Sequence, residues 1–177
     1  NKICFLGKVR SDSGMELVIS AMPEIWGKYG IKLKIIGQET VERKNLEKII
    51  ETYKVQDFVQ ISGFMEFNRL YESMEDCFCG INLITSTNSY SIYTIVGKLI
   101  HYIQSPMPVI VTKNVGPFHE QVRQNGLGLV IEPTKKELLD AVGQLYENQK
   151  LFYENILKFA DNRLKPKIND YIKDVLS

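Results

Sequence analysis

Cationic side chains occur in two parts of the sequence where a phosphate could be bound. Lys8 and Arg10 follow Gly7, which ends a short apolar run at the start of the chain. Residues 85–94 are rich in hydroxyl and amide side chains, and they precede a predicted helix that contains Lys98. A helix N-terminus presents unpaired N–H groups and about half a positive charge, so it suits a phosphate. The two parts together favour the binding of a phosphorylated ligand.

Several simpler interpretations were weighed against this one. Taken alone, Lys8 and Arg10 are better explained as solvated loop charges, and only the pairing with a helix N-terminus favours a ligand. The sequence contains neither G-x-x-x-x-G-K-[ST] nor G-x-G-x-x-G, so an ATPase or a dinucleotide oxidoreductase has no motif support. Cys4, Cys77 and Cys79 lack metal-site spacing, and an odd number of cysteines in apolar runs indicates reduced, buried thiols.

Composition places the chain among ordinary globular proteins. It has 177 residues, of which 44% are hydrophobic and 24% charged, and its formal net charge is +1. This charge balance gives no support to a nucleic-acid partner. No apolar run is long enough to cross a bilayer and no signal-peptide layout is present, so a cytoplasmic protein without a transmembrane segment is expected. The chain begins with Asn and enters its first strand at once, which suggests an excised fragment.

The helix that would position Lys98 is predicted from its apolar period. Val96, Leu99, Ile100 and Ile103 recur at i, i+3, i+4 and i+7, which places Lys98 and His101 away from the apolar face. Prolines at positions 106 and 108 should close this helix. The β-branched residues 109–111 then form a buried strand.

The same alternation of strand and helix runs along most of the chain. Near-continuously apolar runs predict strands at residues 3–6, 33–36, 58–61, 77–84, 109–111 and 129–131. This pattern predicts an α/β fold with a doubly wound parallel sheet of about six strands and a ligand at the carboxyl ends of the strands. Pro23 should kink or shorten the first helix. We expect a Rossmann-like domain over residues 1–148, with residues 149–177 forming C-terminal helices that complete it or cross from it.

The stretch around Lys98 resembles the donor site of GT-B glycosyltransferases, above all those of family 4. Residues 97–103 and 107–110 are similar to the family pattern K-L-F-E-Y-M-A-x-G-x-P-V-I. The family's two glutamates fall on Tyr93 and His101, and Pro106 replaces the usual glycine. The loop after Gly7 resembles G-R-L-x-x-x-K-G, with lysine in the arginine position and Ser13 in the lysine position, where the nearby Arg10 could compensate.

The resemblance implies that residues 1–148 form a nucleotide-sugar-binding domain, and it implies a set of ligand-binding residues. Those for the donor diphosphate are Lys8, Arg10, Tyr93, Thr94, Ile95 and Lys98, the three central ones through backbone groups. Those for the ribose and the base are His101, Gly37, Gln38, Gly63 and Phe64. As alternatives, Phe64 could pack on the following helix and His101 could be a surface histidine. No catalytic residue is assigned, and the resemblance implies no metal and no cofactor besides the NDP-sugar donor.

The resemblance also implies an activity. Such an enzyme transfers a sugar from an NDP-sugar, with UDP favoured, to a glycan or lipid-linked acceptor in polysaccharide biosynthesis, metal-independently and usually with retention. The acceptor-binding N-terminal domain would be missing here, so the chain alone should not turn over, and membrane contact would depend on that domain. Two alternatives were kept. One is a non-catalytic partner that binds protein or glycan, and the other, disfavoured because residues 88–93 contain no carboxylate, is half of an NDP-sugar epimerase.

Overall fold

A computed structural model describes residues 1–37, 43–85, 96–113 and 115–163 of the chain. Six strands form one sheet: β1 (Lys2–Leu6), β2 (Lys32–Ile36), β3 (Val59–Ser62), β4 (Cys77–Asn82), β5 (Val109–Thr112) and β6 (Gly128–Ile131). The helices among the described residues are α1 (Met15–Tyr29), α2 (Arg43–Thr52), α3 (Phe67–Met74), α4 (Val96–Gln104), α5 (Phe118–Gln124), α6 (Lys135–Glu147) and α7 (Gln149–Arg163).

Every strand pair in the sheet is parallel, and the strand order is β3-β2-β1-β4-β5-β6. The chain therefore winds outward from β1 in one direction and, after β3, returns to β4 and winds in the other. This confirms the predicted doubly wound α/β fold. The order reverses between β1 and β4, and in such sheets the ligand lies in the crevice outside the carboxyl ends at that reversal.

Helices cover both faces of the sheet, which explains why the strands are apolar almost throughout. One buried cluster joins β1–β4 residues such as Phe5 to α1, α2 and α6. A second cluster, on the other face, includes Leu99 and Tyr102 of α4 together with residues of α3 and α5. A small third cluster of Ile103, Leu127 and Ile156 holds α7 against α4. Of the C-terminal segment predicted over residues 149–177, the part beyond residue 163 lies outside the described residues.

Pro23 does not end α1 early, which was one of the two effects predicted for it. The helix continues to Tyr29 and ends at Gly30, which adopts a left-handed conformation. Met22 and Ile25, on either side of the proline, are fully buried. Their packing against the sheet holds the second half of the helix in place despite the lost backbone hydrogen bond.

The buried face of α4 is rotated from the one predicted. Ile100 is 37% exposed, whereas Tyr102 is fully buried. The cause lies in the sheet: Gly80 of β4 has no side chain, and the ring of Tyr102 occupies the space that a Cβ there would take, with three ring carbons 2.4 to 2.6 Å from that position. Lys98, one turn before Tyr102, consequently faces the end of β1 instead of pointing away from the core.

The three cysteines are free thiols and buried, as the sequence predicted. Among the described helices, none combines the length and the apolar character needed to span a membrane.

Candidate functional site

The loop after β1 is closed on itself by a serine. The Ser13 hydroxyl donates to the Arg10 carbonyl at 2.6 Å, and its oxygen accepts from the Arg10 backbone N–H at 3.3 Å. Gly7 and Gly14 both have positive φ, at 95° and 63°, a region that favours glycine. The loop is thus held in one conformation by its own residues before any ligand arrives.

The two predicted cations of this loop differ in their surroundings. The Arg10 guanidinium forms an ion pair with Asp12, with 3.0 Å between Nη2 and Oδ2. Lys8 is exposed. Asp12 therefore offsets much of the positive charge that Arg10 would bring to a phosphate, a carboxylate effect that the sequence interpretation did not include.

Lys98 crosses the carboxyl end of β1. Its Cε lies 2.8 Å from the position a Cβ on Gly7 would take, and its ammonium lies 4.4 Å from the centroid of the Phe5 ring. Burial, reinforced by the nearby Arg10 and opposed by Asp12, lowers the pKa of Lys98 to about 8. Within the part of the chain that the structure describes, no hydrogen bond or carboxylate partner compensates this ammonium. The site thus holds a partly desolvated cation against an aromatic face, poised for an anion.

Backbone hydrogen bonds join the carboxyl ends of β1, β2 and β3. Gly7 N–H donates to the Ile36 carbonyl at 2.7 Å, and Gly37 N–H donates to the Ser62 carbonyl at 3.2 Å. A Cβ on Gly37 would lie 2.1 Å from the Gly7 carbonyl oxygen, so only glycine allows this approach. The two predicted base-binding positions, Gly37 and Gly63, therefore line the same edge as the loop after β1. Phe64, next to Gly63, is 73% exposed, so it does not pack as a buried residue on α3.

His101 lies one turn after Lys98, between α4 and α3. The Tyr71 hydroxyl is 3.1 Å from His101 Nδ1 and donates to Gln104 Oε1 at 2.6 Å. The Tyr71 hydroxyl therefore links the His101 imidazole to Gln104, one turn later on α4. Burial lowers the pKa of His101, so the ring is neutral at pH 7.

The structure brings together most of the described site residues from the sequence analysis. Lys8, Arg10, Lys98, Gly37 and Gly63 meet at the carboxyl edge of β1–β3, with His101 on the same helix as Lys98. Gln38, Tyr93, Thr94 and Ile95 lie outside the described residues. Two further side chains, Asp12 and Tyr71, act on this site through Arg10 and His101. Asp12 was detectable as a carboxylate two residues from Arg10, whereas nothing in the sequence pairs Tyr71 with His101.

No group of three His, Cys, Asp or Glu side chains gathers as potential metal ligands within residues 1–37, 43–85, 96–113 and 115–163. The described polar groups of the site are instead two ammonium groups, a guanidinium paired with the Asp12 carboxylate, an imidazole and backbone amides. Such groups suit an anionic ligand with hydroxyl substituents.

Comparison with known families and structures gives one consistent result. The family model for glycosyl transferases group 1 matches residues 1–163. A search of curated proteins gives no match.

Solved structures share the fold at low sequence identity. The C-terminal domain of a glycosyl transferase group 1 family protein (LpcC) from Francisella tularensis is 19% identical, with a TM-score of 0.72 over 92% of this chain and 85% of its own. Anabaena Alr3699/HepE, solved with UDP and glucose, is 17% identical, with a TM-score of 0.78 over 99% of this chain and 47% of its own. WaaG, a glycosyltransferase involved in lipopolysaccharide biosynthesis, is 20% identical, with a TM-score of 0.69 over 92% of this chain and 43% of its own. The chain thus spans a little under half the length of the last two proteins.

Proposed function

The chain belongs to the glycosyl transferases group 1 family, and on this basis we propose that it is the donor-binding domain of an enzyme that transfers a sugar from an NDP-sugar. The acceptor class we propose is a glycan or a lipid-linked glycan. The similar structures of Anabaena Alr3699/HepE contain UDP or UDP-glucose, and this supports UDP as the nucleotide of the sugar donor.

The observation that carries the proposal is the position of Lys98. Its ammonium lies at the carboxyl end of β1, beside the loop after Gly7, where the strand order reverses. A diphosphate placed there would supply the negative charge that this cation lacks among the described residues. Lys8 and Arg10 would contact the same diphosphate from the loop, and we propose backbone groups of residues 93–95 as further contacts.

The proposed chemistry follows from the leaving group. When the bond from the sugar to the diphosphate breaks, negative charge grows on the departing phosphate oxygens. Preorganised cations and N–H groups stabilise that charge without a metal ion, and this is the role we assign to Lys98 and the loop. Retention of anomeric configuration is part of the proposal by resemblance to the family, and no catalytic residue is assigned.

The ribose and the base would lie along β2 and β3. The neutral imidazole of His101 would hydrogen-bond a ribose hydroxyl. Backbone groups at Gly37, Gln38 and Gly63 would read the base edge, and the exposed Phe64 ring would flank it.

The whole enzyme is proposed to contain a further, N-terminal domain. Residues 1–148 would bind the donor and residues 149–177 would complete the domain or cross from it. Because the donor and the acceptor would react between two domains, this chain alone is expected to bind nucleotide without turnover. We place the enzyme in the cytoplasm, where free thiols persist, with any membrane contact made through the N-terminal domain.

Isothermal titration of the 177-residue chain with UDP, GDP and their sugars tests the proposal. One nucleotide is expected to bind in the micromolar to low-millimolar range, about 4 to 8 kcal/mol of binding free energy. Binding of UDP in preference to GDP would establish the base. A folded sample that gives no heat with any of them would contradict the proposal.

A second candidate function is a non-catalytic partner of an active transferase. Two observations favour it: Tyr93 and His101 replace the family's glutamates, and Asp12 pairs with Arg10 in the phosphate loop. Such a partner would bind protein or glycan and show no affinity for nucleotides. The same titration therefore separates the two candidates.

Replacing Asp12 by asparagine is expected to strengthen nucleotide binding. The change removes a negative charge beside the diphosphate site and releases the Arg10 guanidinium from its 3.0 Å ion pair. Since an exposed pair of this kind is worth up to about 1 kcal/mol, the affinity for UDP should rise by about threefold to fivefold. Glu16→Gln, which removes a carboxylate in the first turn of α1, is the matched control, and an equal gain in that variant would point to a general charge effect.

A further inference from the structure

The hydrogen-bond ladder between β1 and β4 stops before either strand ends. The register pairs Lys2 with Cys77, Ile3 with Cys79 and Cys4 with Gly80, with an irregularity between the first two pairs. Both strands continue for two further residues without pairing, to Leu6 and Asn82. Extending the register would pair these two residues and make the Ile81 carbonyl the acceptor for Leu6 N–H.

A tyrosine hydroxyl occupies the place of that missing bond. Leu6 N–H donates to the hydroxyl oxygen of Tyr102 at 2.8 Å, and the Tyr102 hydroxyl is 3.3 Å from the Ile81 carbonyl, to which it donates. Burial raises the pKa of this phenol well above its ordinary value, so its proton remains available for donation. The hydroxyl thus bridges the two strands where the ladder would otherwise close.

The ring that carries this hydroxyl is held by the sheet itself. Tyr102 is fully buried, and the ring lies over Gly80, where an added Cβ would be 2.4 Å from its Cγ. Tyr102 and Lys98 are four residues apart on α4 and therefore share a face. Tyr102 contacts Leu6 and Lys98 lies against Gly7. A single face of α4 therefore contacts the end of β1 and places the Lys98 ammonium beside it.

Beyond the bridge, β4 carries a second unusual group. Asn82 is 3% exposed, and within the described residues its side-chain nitrogen is a buried donor with no hydrogen-bond partner. Buried donors of this kind are rare and mark places where function constrains the structure. This donor belongs to the separated part of the β1–β4 pair.

We propose that the Tyr102 hydroxyl is a positioning group for the donor site. By inserting between Leu6 and Ile81, it sets the separation of β1 and β4, the two strands between which the strand order reverses. It thereby fixes the loop after Gly7 against Lys98. This inference rests on the proposed function for its consequence, which is nucleotide affinity. It does not make Tyr102 a contact of the ligand. Without the hydroxyl, the Leu6 N–H and Ile81 carbonyl are free to bond directly, which closes the crevice and displaces Gly7.

The test compares Tyr102→Phe with Tyr146→Phe in the isotopically labelled 177-residue chain. Tyr146 lies on the opposite face of the sheet in α6, and its hydroxyl makes no hydrogen bond among the described residues. Amide NMR spectra without ligand report the loop geometry, and calorimetric titration with UDP reports affinity. We expect Tyr102→Phe to shift the amide signals of Leu6, Gly7 and the following loop and to weaken UDP binding about tenfold or more, with both unchanged in Tyr146→Phe.

Each outcome has a defined meaning. If loop signals and affinity in Tyr102→Phe match the wild type, or if only its thermal stability falls, the positioning role is wrong. If the wild type binds no nucleotide, the proposed function fails, and the ligand-free spectra still decide whether Tyr102 sets the loop. Gly80→Ala supplies a second variant, because its methyl group must displace the ring while keeping the hydroxyl; unchanged loop signals there would also overturn the inference.

Discussion

Replacing Lys98 by methionine is expected to weaken nucleoside-diphosphate binding by about a hundredfold while making the fold more stable. A charge-assisted hydrogen bond to phosphate contributes about 1.5 to 3 kcal/mol, and a loss near the upper end of this range corresponds to about a hundredfold in affinity. Methionine keeps the length of the side chain and can lie over the Phe5 ring as the lysine stem does. The variant therefore removes the charge with little change in packing.

The gain in stability follows from the lowered pKa of Lys98. The pKa falls from its ordinary 10.5 to about 8, mainly because burial disfavours the ammonium. The folded state therefore carries a charge that would be better solvated in the unfolded chain, at a cost of about 3 kcal/mol at pH 7. The cost is complete below pH 8 and disappears as the pH rises towards 10.5, so the variant's advantage should shrink over that range.

Urea unfolding of both proteins at pH 7 and pH 10, with UDP titration at pH 7, measures these effects. Lys136→Met provides the matched control, because this lysine is exposed on α6. A variant that loses stability without losing affinity would show that Lys98 serves packing, and the assignment of the phosphate site would then be wrong.

Nucleotide affinity is also expected to fall as the pH rises from 7 to 9. In the proposed site the ammonium form of Lys98 would bind the diphosphate, and at a pKa of about 8 this form declines from about nine-tenths to about one-tenth of the free protein over this range. Affinity should therefore fall about tenfold, and binding at pH 8 should take up about half a proton. The other charged groups that act on Lys98 are Arg10 and Asp12.

Proton uptake is measured by titrating UDP at pH 8 in two buffers with different ionisation enthalpies. Lys98→Arg keeps the charge at every pH tested, so its affinity should not change between pH 7 and 9 and its binding should take up no proton at Lys98's position. Equal pH dependence in the wild type and this variant would assign the titration to another group.

The fold was predictable because its signals are local. Six apolar runs with short connections define a parallel sheet covered on both faces. The family pattern around residues 97–110 locates one helix and the strand that follows it. The errors arose where tertiary contacts override local preference. Pro23 is retained inside α1 because the residues beside it are buried, and Tyr102 faces the core because Gly80 leaves room for its ring.

The places of the candidate site residues in the fold were predictable, and their contacts only in part. Residue types and spacing located Lys8, Arg10 and Lys98 at the carboxyl edge, since strand ends and helix starts can be read from the sequence. The pairing of Arg10 with Asp12, the approach of Lys98 to Phe5 and the contact of Tyr71 with His101 depend on how loops and helices meet in space. A helical period predicts the helix face on which a polar side chain lies, but it does not predict which residue of another element that side chain contacts.

The hydrogen bonds that join Gly7 to Ile36 and Gly37 to Ser62 have a consequence for the size of the ligand. They hold the ends of β1, β2 and β3 at regular strand spacing. The proposed phosphate position at β1 and the proposed base position at β3 are therefore two strand spacings, or about 10 Å, apart. The 2.1 Å approach at Gly37 leaves no room for a side chain that could alter this interval. The distance between these two strand ends is therefore fixed. A nucleotide that binds with its base at β3 and its phosphates at β1 would be selected by its length as well as by its charge.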